Sequence, residues 1–181
     1  MITKASIQNL LEVYSKEYQD THIEKTQTFV SNNENLFGRD NLSGQITGSA
    51  WILNKNEDKA LLIHHKKLGL WFQPGGHVDA EDRTIIDTAQ REAIEETGLK
   101  DVELLSPNLF DLDVHMIPER KGIPEHYHYD FRFIFKTSND SFNADSREVN
   151  DIKWMTLKEI TNNKEFGSIK RMAEKCQKYL H

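Results

Sequence analysis

The chain has 181 residues, 37% of them hydrophobic and 29% charged, and its net charge is −6. That length supports one domain with a real core. No apolar run approaches the ~20 residues that a membrane-spanning helix requires, and the negative balance argues against binding duplex nucleic acid. Small phosphorylated ligands stay open, because a bound divalent cation reverses the local sign.

The opening stretch "MITKASIQNLLEVYSKEYQD" has no apolar segment of the kind a secretory signal carries, and a single cysteine excludes an internal disulfide. Both features point to a reducing cytoplasm. Ile7, Leu10, Leu11, Tyr14 and Tyr18 recur at helical spacing, which predicts an amphipathic helix over 4–20. The polar stretch 31–44, with two glycines, reads as a connecting loop. "SAWIL" and "KALLIH", separated by "NKNED", predict a hairpin. "LWFQPGGHV" predicts a third strand ending in Pro74-Gly75-Gly76.

Residues 84–97 carry helix signals at both ends: Thr84 with Asp87 three residues on, and Gly98 just past the end. Ile85, Ile86, Ala89 and Ala93 share one side of this helix, and Glu92 and Glu96 lie at the edge of that stripe. Two later segments alternate with period two and predict neighbouring antiparallel strands. In "FDLDVHM", Asp111, Asp113 and His115 oppose the apolar residues. In "HYHYDFRFIFK", Tyr127, Tyr129, Phe131, Phe133 and Phe135 form a core face, while His126, His128, Asp130 and Arg132 form the other. Such a polar face lines a cleft or simply meets solvent. "VNDIKWMTL" predicts a last strand and "LKEI" a short helix. A C-terminal helix carries Phe166, Ile169, Met172, Ala173, Cys176 and Leu180 on its apolar stripe, which makes Cys176 a packed, inert thiol. Interleaved strands and helices indicate a layered α/β class.

Glu92, Glu95 and Glu96 fall within five positions of one helix, where like charges three and four apart repel by roughly 0.2–0.5 kcal/mol per pair. A solvated acidic face, ion pairing with Arg91, or a hard divalent cation would each relieve that repulsion. The upstream sequence favours the cation. "GHVDAEDRTIIDTAQREAIEETGL" resembles the signature of the Nudix hydrolases, G-x5-E-x7-R-E-U-x-E-E-x-G-U with U aliphatic. Arg91, Glu92, Ala93, Glu95, Glu96, Gly98 and Leu99 match its second half, and Pro74-Gly75 before Gly76 is typical of the family. There are two departures. Asp82 stands where the first glutamate is expected, and one extra residue lies between Gly76 and Arg91.

The resemblance implies a Nudix-type α/β/α sandwich with a mixed β-sheet over residues 45–181, preceded by an N-terminal helical extension over 1–44. It implies a MutT-like pyrophosphatase that hydrolyses a diphosphate linkage in a nucleoside diphosphate joined to another group, with Mg²⁺ or Mn²⁺ as cofactor. Glu92, Glu95, Glu96 and the carbonyl of Gly76 would hold the metal, and Arg91 would orient a glutamate. A glutamate in or near the box, or a remote acid among Asp113, Glu125, Asp130 and Glu148, would be the general base. Trp71, His77, Asp130 and Arg132 are candidate substrate contacts, and Lys66 and Lys67 could meet phosphate. The expected partner is a small nucleoside diphosphate derivative, with no nucleic-acid polymer and no membrane; a homodimer is left open. Three rivals remain: a zinc hydrolase built on His126 and His128 with His115 or Asp130, a Nudix-fold sensor without turnover, and a diphosphate isomerase. The isomerase needs a site cysteine, and the chain offers only Cys176.

Overall fold

The computed structural model describes residues 2–65, 69–120, 122–142 and 149–180. Lys66, Lys67 and Glu148 lie outside them. The first helix, α1 (Lys4–Ser15), ends five residues earlier than its periodicity suggests, because a second one, α2 (Thr21–Asn32), begins. The Asp20 carboxylate caps α2, accepting the backbone N–H of His22 and Ile23. Tyr18 therefore sits in the connection, still packed on the core.

Strand β1 (Gln45–Leu53) is the axis of the sheet. It runs parallel to β7 (His126–Lys136) along its whole length. Its other edge takes β4 (Gly75–His77) between Thr47 and Ser49. The predicted hairpin forms, but only at its turn. β2 (Lys59–His65) touches β1 only at Leu53↔Ala60 and then diverges to pair with β8 (Val149–Thr156). The edge of β1 that a hairpin needs is taken by β4. The predicted third strand also divides. Trp71–Phe72 forms β3 against β2, Gly75–His77 forms β4 against β1, and Gln73-Pro74 steps between them. Proline supplies no N–H to continue a ladder. Short β5 (Glu103–Leu104) and β6 (Asp111–Ile117) both pair antiparallel with β7, the latter as its alternation predicts.

Alternation along β1 feeds two cores. Ile46, Ala50 and Ile52 face α1, α2 and the helix α3 (Ile85–Thr97), whereas Trp51 and Leu53 face α4 (Leu157–Asn162) and α5 (Gly167–Lys175). Helices thus cover both faces of a mixed sheet, an α/β/α arrangement. Residues of α1 and α2 share one core with the sheet: Ile7, Leu11, Phe29 and Val30 are buried alongside Phe131 and Phe133. The C-terminal helix is shorter than predicted. It gives way to a 3₁₀ turn at Cys176–Tyr179, and Cys176 is buried there, its thiol pushed up to about 11 by desolvation. Among the described residues no helix is long and apolar enough to cross a membrane.

Candidate active site

Helix α3 begins where the sequence indicates. Thr84 and Asp87 cap each other reciprocally, and Gly98 closes the helix at φ 70°, in the left-handed region. The helix lies tightly on β1. At Gly48 a Cβ would stand 2.9 Å from the Ile85 carbonyl oxygen. Gly48 pairs with Gly76 of β4, so the same helix face passes over the glycine turn. The result is close apposition of backbone and carboxylates. The Glu96 carboxylate accepts the Gly75 N–H at 3.0 Å, and a Cβ at residue 76 would lie 2.5 Å from the Glu92 carboxyl carbon. Only glycine allows that approach. Replacing Gly76 with alanine is expected to lower kcat by about tenfold to a hundredfold, since a displacement near 1 Å at a reacting centre costs that much. Steady-state rates on whichever diphosphate is turned over, with the melting temperature beside them, check this.

Arg91 organises the acids. Its Nη1 donates to Glu92 at 2.9 Å and to Glu95 at 3.3 Å, and its Nη2 donates to the His77 carbonyl at 2.8 Å. Its remaining N–H groups hold Asp82, with Nε 3.1 Å from Oδ1 and Nη2 3.0 Å from Oδ2. Asp82 is buried and also accepts from the Thr88 hydroxyl and the Asp79 N–H. Its shorter side chain and the extra loop residue therefore leave it able to engage Arg91. Burial alone would raise its carboxyl, but the bonds from Arg91, Asp79 and Thr88 hold it below the usual range. Glu92 differs: burial outweighs Arg91, and its carboxyl is raised. One guanidinium is thus shared among several acids, while the Glu95 side chain stays 60% exposed.

Among the described residues, no three His, Cys, Asp or Glu side chains are drawn together into a ready-made ion cage. The donor chemistry still fits a hard divalent cation. The candidate ligands are carboxylate and carbonyl oxygens, and a half-compensated Glu92 lies in the space that a side chain at residue 76 would fill.

The other candidate contacts divide. Trp71 is committed to the β2–β8 side, with Lys153 Nζ 4.2 Å above its ring and His64 edge-on at 5.2 Å. The polar face of β7 lies partly inside the protein. Asp130 is buried and accepts from Thr47, Ser49, Gln73 and Arg132. Arg132, equally buried, ion-pairs with Asp130, Asp111 and Asp113. From α5, Arg171 and Lys175 also bind Asp111, and Lys175 reaches the Tyr14 hydroxyl of α1. Arg171 and Lys175, four residues apart, flank the apolar stripe of α5, the one signal that could have announced them. Only the far end of the face is open. There His77 stands 4.9 Å, ring to ring, from His128, with burial pushing the two imidazoles down to about 4 and about 3.

Comparison with known proteins agrees with this fold. The family model described as NUDIX domain matches residues 45–175. A protein of Lactococcus lactis subsp. cremoris (strain MG1363), described as a probable DHNTP pyrophosphohydrolase, is 34% identical over 133 residues, covering 72% of this chain and 76% of the relative. Among solved structures, a NUDIX-family hydrolase from Clostridium perfringens superposes with a TM-score of 0.56 at 24% identity, over 74% of this chain and 97% of that one. The E. coli dihydroneopterin triphosphate pyrophosphohydrolase gives 0.53 at 14% identity, over 71% and 92%.

Proposed function

The chain belongs to the NUDIX family, and on that premise we propose that it is a Mg²⁺-dependent enzyme cleaving a diphosphate linkage in a nucleoside diphosphate derivative or a close heterocyclic analogue. It is a Nudix hydrolase, acting on phosphoanhydrides. The observation that carries the reading is the contact of Glu92 and Glu96 with the Gly75-Gly76 backbone. Those two glutamates, Glu95 and the Gly76 carbonyl would hold the cation. When bound, a divalent ion supplies Lewis acidity and neutralises diphosphate charge.

The chain's own residues do the rest. Arg91, fixed at its far side by Asp82 and the His77 carbonyl, holds Glu92 and Glu95 in a set orientation. The general base comes from the box. Asp113 and Asp130 are largely buried in ion pairs with Arg132, whereas Glu95, although Arg91 reaches it at 3.3 Å, keeps its side chain 60% exposed. Asp130 and Arg132 then act as the floor beneath the site, not as substrate contacts.

The test is a screen of diphosphate compounds with Mg²⁺ and Mn²⁺: sugar nucleotides, ADP-ribose, dinucleoside polyphosphates, nucleoside triphosphates and dihydroneopterin triphosphate. The relative from Lactococcus puts the last of these first in line. The expected result is metal-dependent turnover of at least one compound with release of a phosphate-bearing product. Binding without turnover across the panel would instead make the chain a sensor.

A further inference from the structure

The open end of the β6–β7 face carries three imidazoles that the hydrolytic site does not use. His115 stands opposite His128 in the strand register, and His126 lies two residues along the same strand. Their ring centroids are 5.7 Å and 5.3 Å from that of His128. Two of these rings have a fixed tautomer. The Nδ1 of His115 faces the Asp113 carboxylate at 3.1 Å, and the Nδ1 of His126 faces the Pro124 carbonyl at 2.9 Å. Neither oxygen donates, so each Nδ1 carries a proton, which leaves Nε2 as the acceptor of the neutral ring. The Nε2 of His128 is enclosed and has no hydrogen-bond partner. The amide oxygen of Gln73, on the far side of Asp130, is an enclosed acceptor that also lacks a partner. Buried polar groups in folded proteins are nearly always paired, so these two atoms on one face call for partners, ligand atoms or waters. His77 joins this face to the diphosphate site: its carbonyl accepts from Arg91, its ring meets His128, and it directly follows Gly76.

Resting on the hydrolase reading above, we propose that His115, His126 and His128 form the subsite for the substrate's heterocycle and select one that presents N–H donors side by side, as a 2-amino-4-oxopyrimidine edge does. Acceptors spread over two strands match a flat ligand with adjacent ring N–H and amino groups. Guanine and pterin carry such an edge; adenine offers a lone amino group, and hypoxanthine lacks the amino group altogether.

GTP and ITP differ only by that amino group and supply the test. With the full chain and Mg²⁺, KM for ITP is expected to exceed that for GTP by about tenfold at similar kcat, because a site built for a donor penalises its absence. His115→Phe keeps a flat ring but removes the Nε2 acceptor, and should bring the ITP/GTP ratio of KM close to one; His128→Phe, which removes both ring nitrogens, is the second variant should the first fail to fold. Equal KM values in the wild type, or a ratio unchanged in both variants, would overturn the proposal. So would a wild-type rate that falls with a zinc chelator at saturating Mg²⁺, which assigns the histidines to a transition metal. If neither nucleotide is hydrolysed, the hydrolase reading has failed on these substrates, and the calorimetric Kd ratio of GTP to ITP decides the inference, equal values sinking it.

Discussion

Glu96→Gln is expected to fold normally and to lose about 10²–10³-fold in Mg²⁺-dependent kcat. The glutamine amide oxygen can still accept the Gly75 N–H, so the 3.0 Å contact that fixes the glycine turn survives. What disappears is a negative charge at a buried position beside the proposed cation. Several kcal/mol of transition-state stabilisation rest on metal held in such a site, and each ~1.4 kcal/mol is a factor of ten in rate. The measurement is kcat at saturating substrate across a Mg²⁺ titration, with the melting temperature recorded on the same preparation. A near-wild-type rate would remove Glu96 from the metal site. A large fall in melting temperature would show that its role is to hold the turn.

Asp111→Ala is expected to cost about 3–5 kcal/mol of stability, or roughly 10 °C in melting temperature for a chain of this size. Asp111 is fully buried and takes Arg132 at 3.1 Å, Arg171 at 2.9 Å and Lys175 at 2.7 Å. Removing it leaves those cations facing one another with Asp113 and Asp130 as their remaining acids. The pH dependence has a defined sign. Burial raises the Asp111 carboxyl, but Arg171, Arg132 and Lys175 outweigh that and hold it below its unfolded value. Its stabilisation is therefore complete above the unfolded pKa of about 4 and is lost as pH falls through the lower folded value. The difference in melting temperature between wild type and variant should shrink on acidification from pH 7 to below about 4. A gap that stayed constant would mean that Asp111 stabilises by packing alone.

The box helix was legible in the sequence because its signals are local. Thr84, Asp87 and Gly98 fix both ends from within their own turns, and Arg91 and the glutamates follow by spacing. The pairing of β6 with β7 was legible for the same reason, since period two shows in each strand separately. What failed was non-local. The apolar runs before and after "NKNED" look like any hairpin, and nothing within them says that β4 and β7 occupy the edges of β1. Helix α2 was missed because its register of Ile23, Thr26, Phe29 and Val30 is diluted by polar residues and started by an aspartate that closes the preceding turn. The polar face of β7 read as one surface, yet half of it is buried, because its partners Arg171 and Lys175 arrive from α5, some forty residues downstream. Asp82 was legible as a departure, but its hold on Arg91 depends on how the loop folds back, which spacing does not record.

Lys175 joins α5 to α1 and the turn after it. Its ammonium group meets the hydroxyl of Tyr14 and the ring of Tyr18, and Lys178 beside it bonds Glu17 and the Tyr18 hydroxyl. Side chains some 160 positions apart in sequence are thereby latched together. Opening α5 would therefore release α1 as well, and the two should come apart in one step instead of fraying separately.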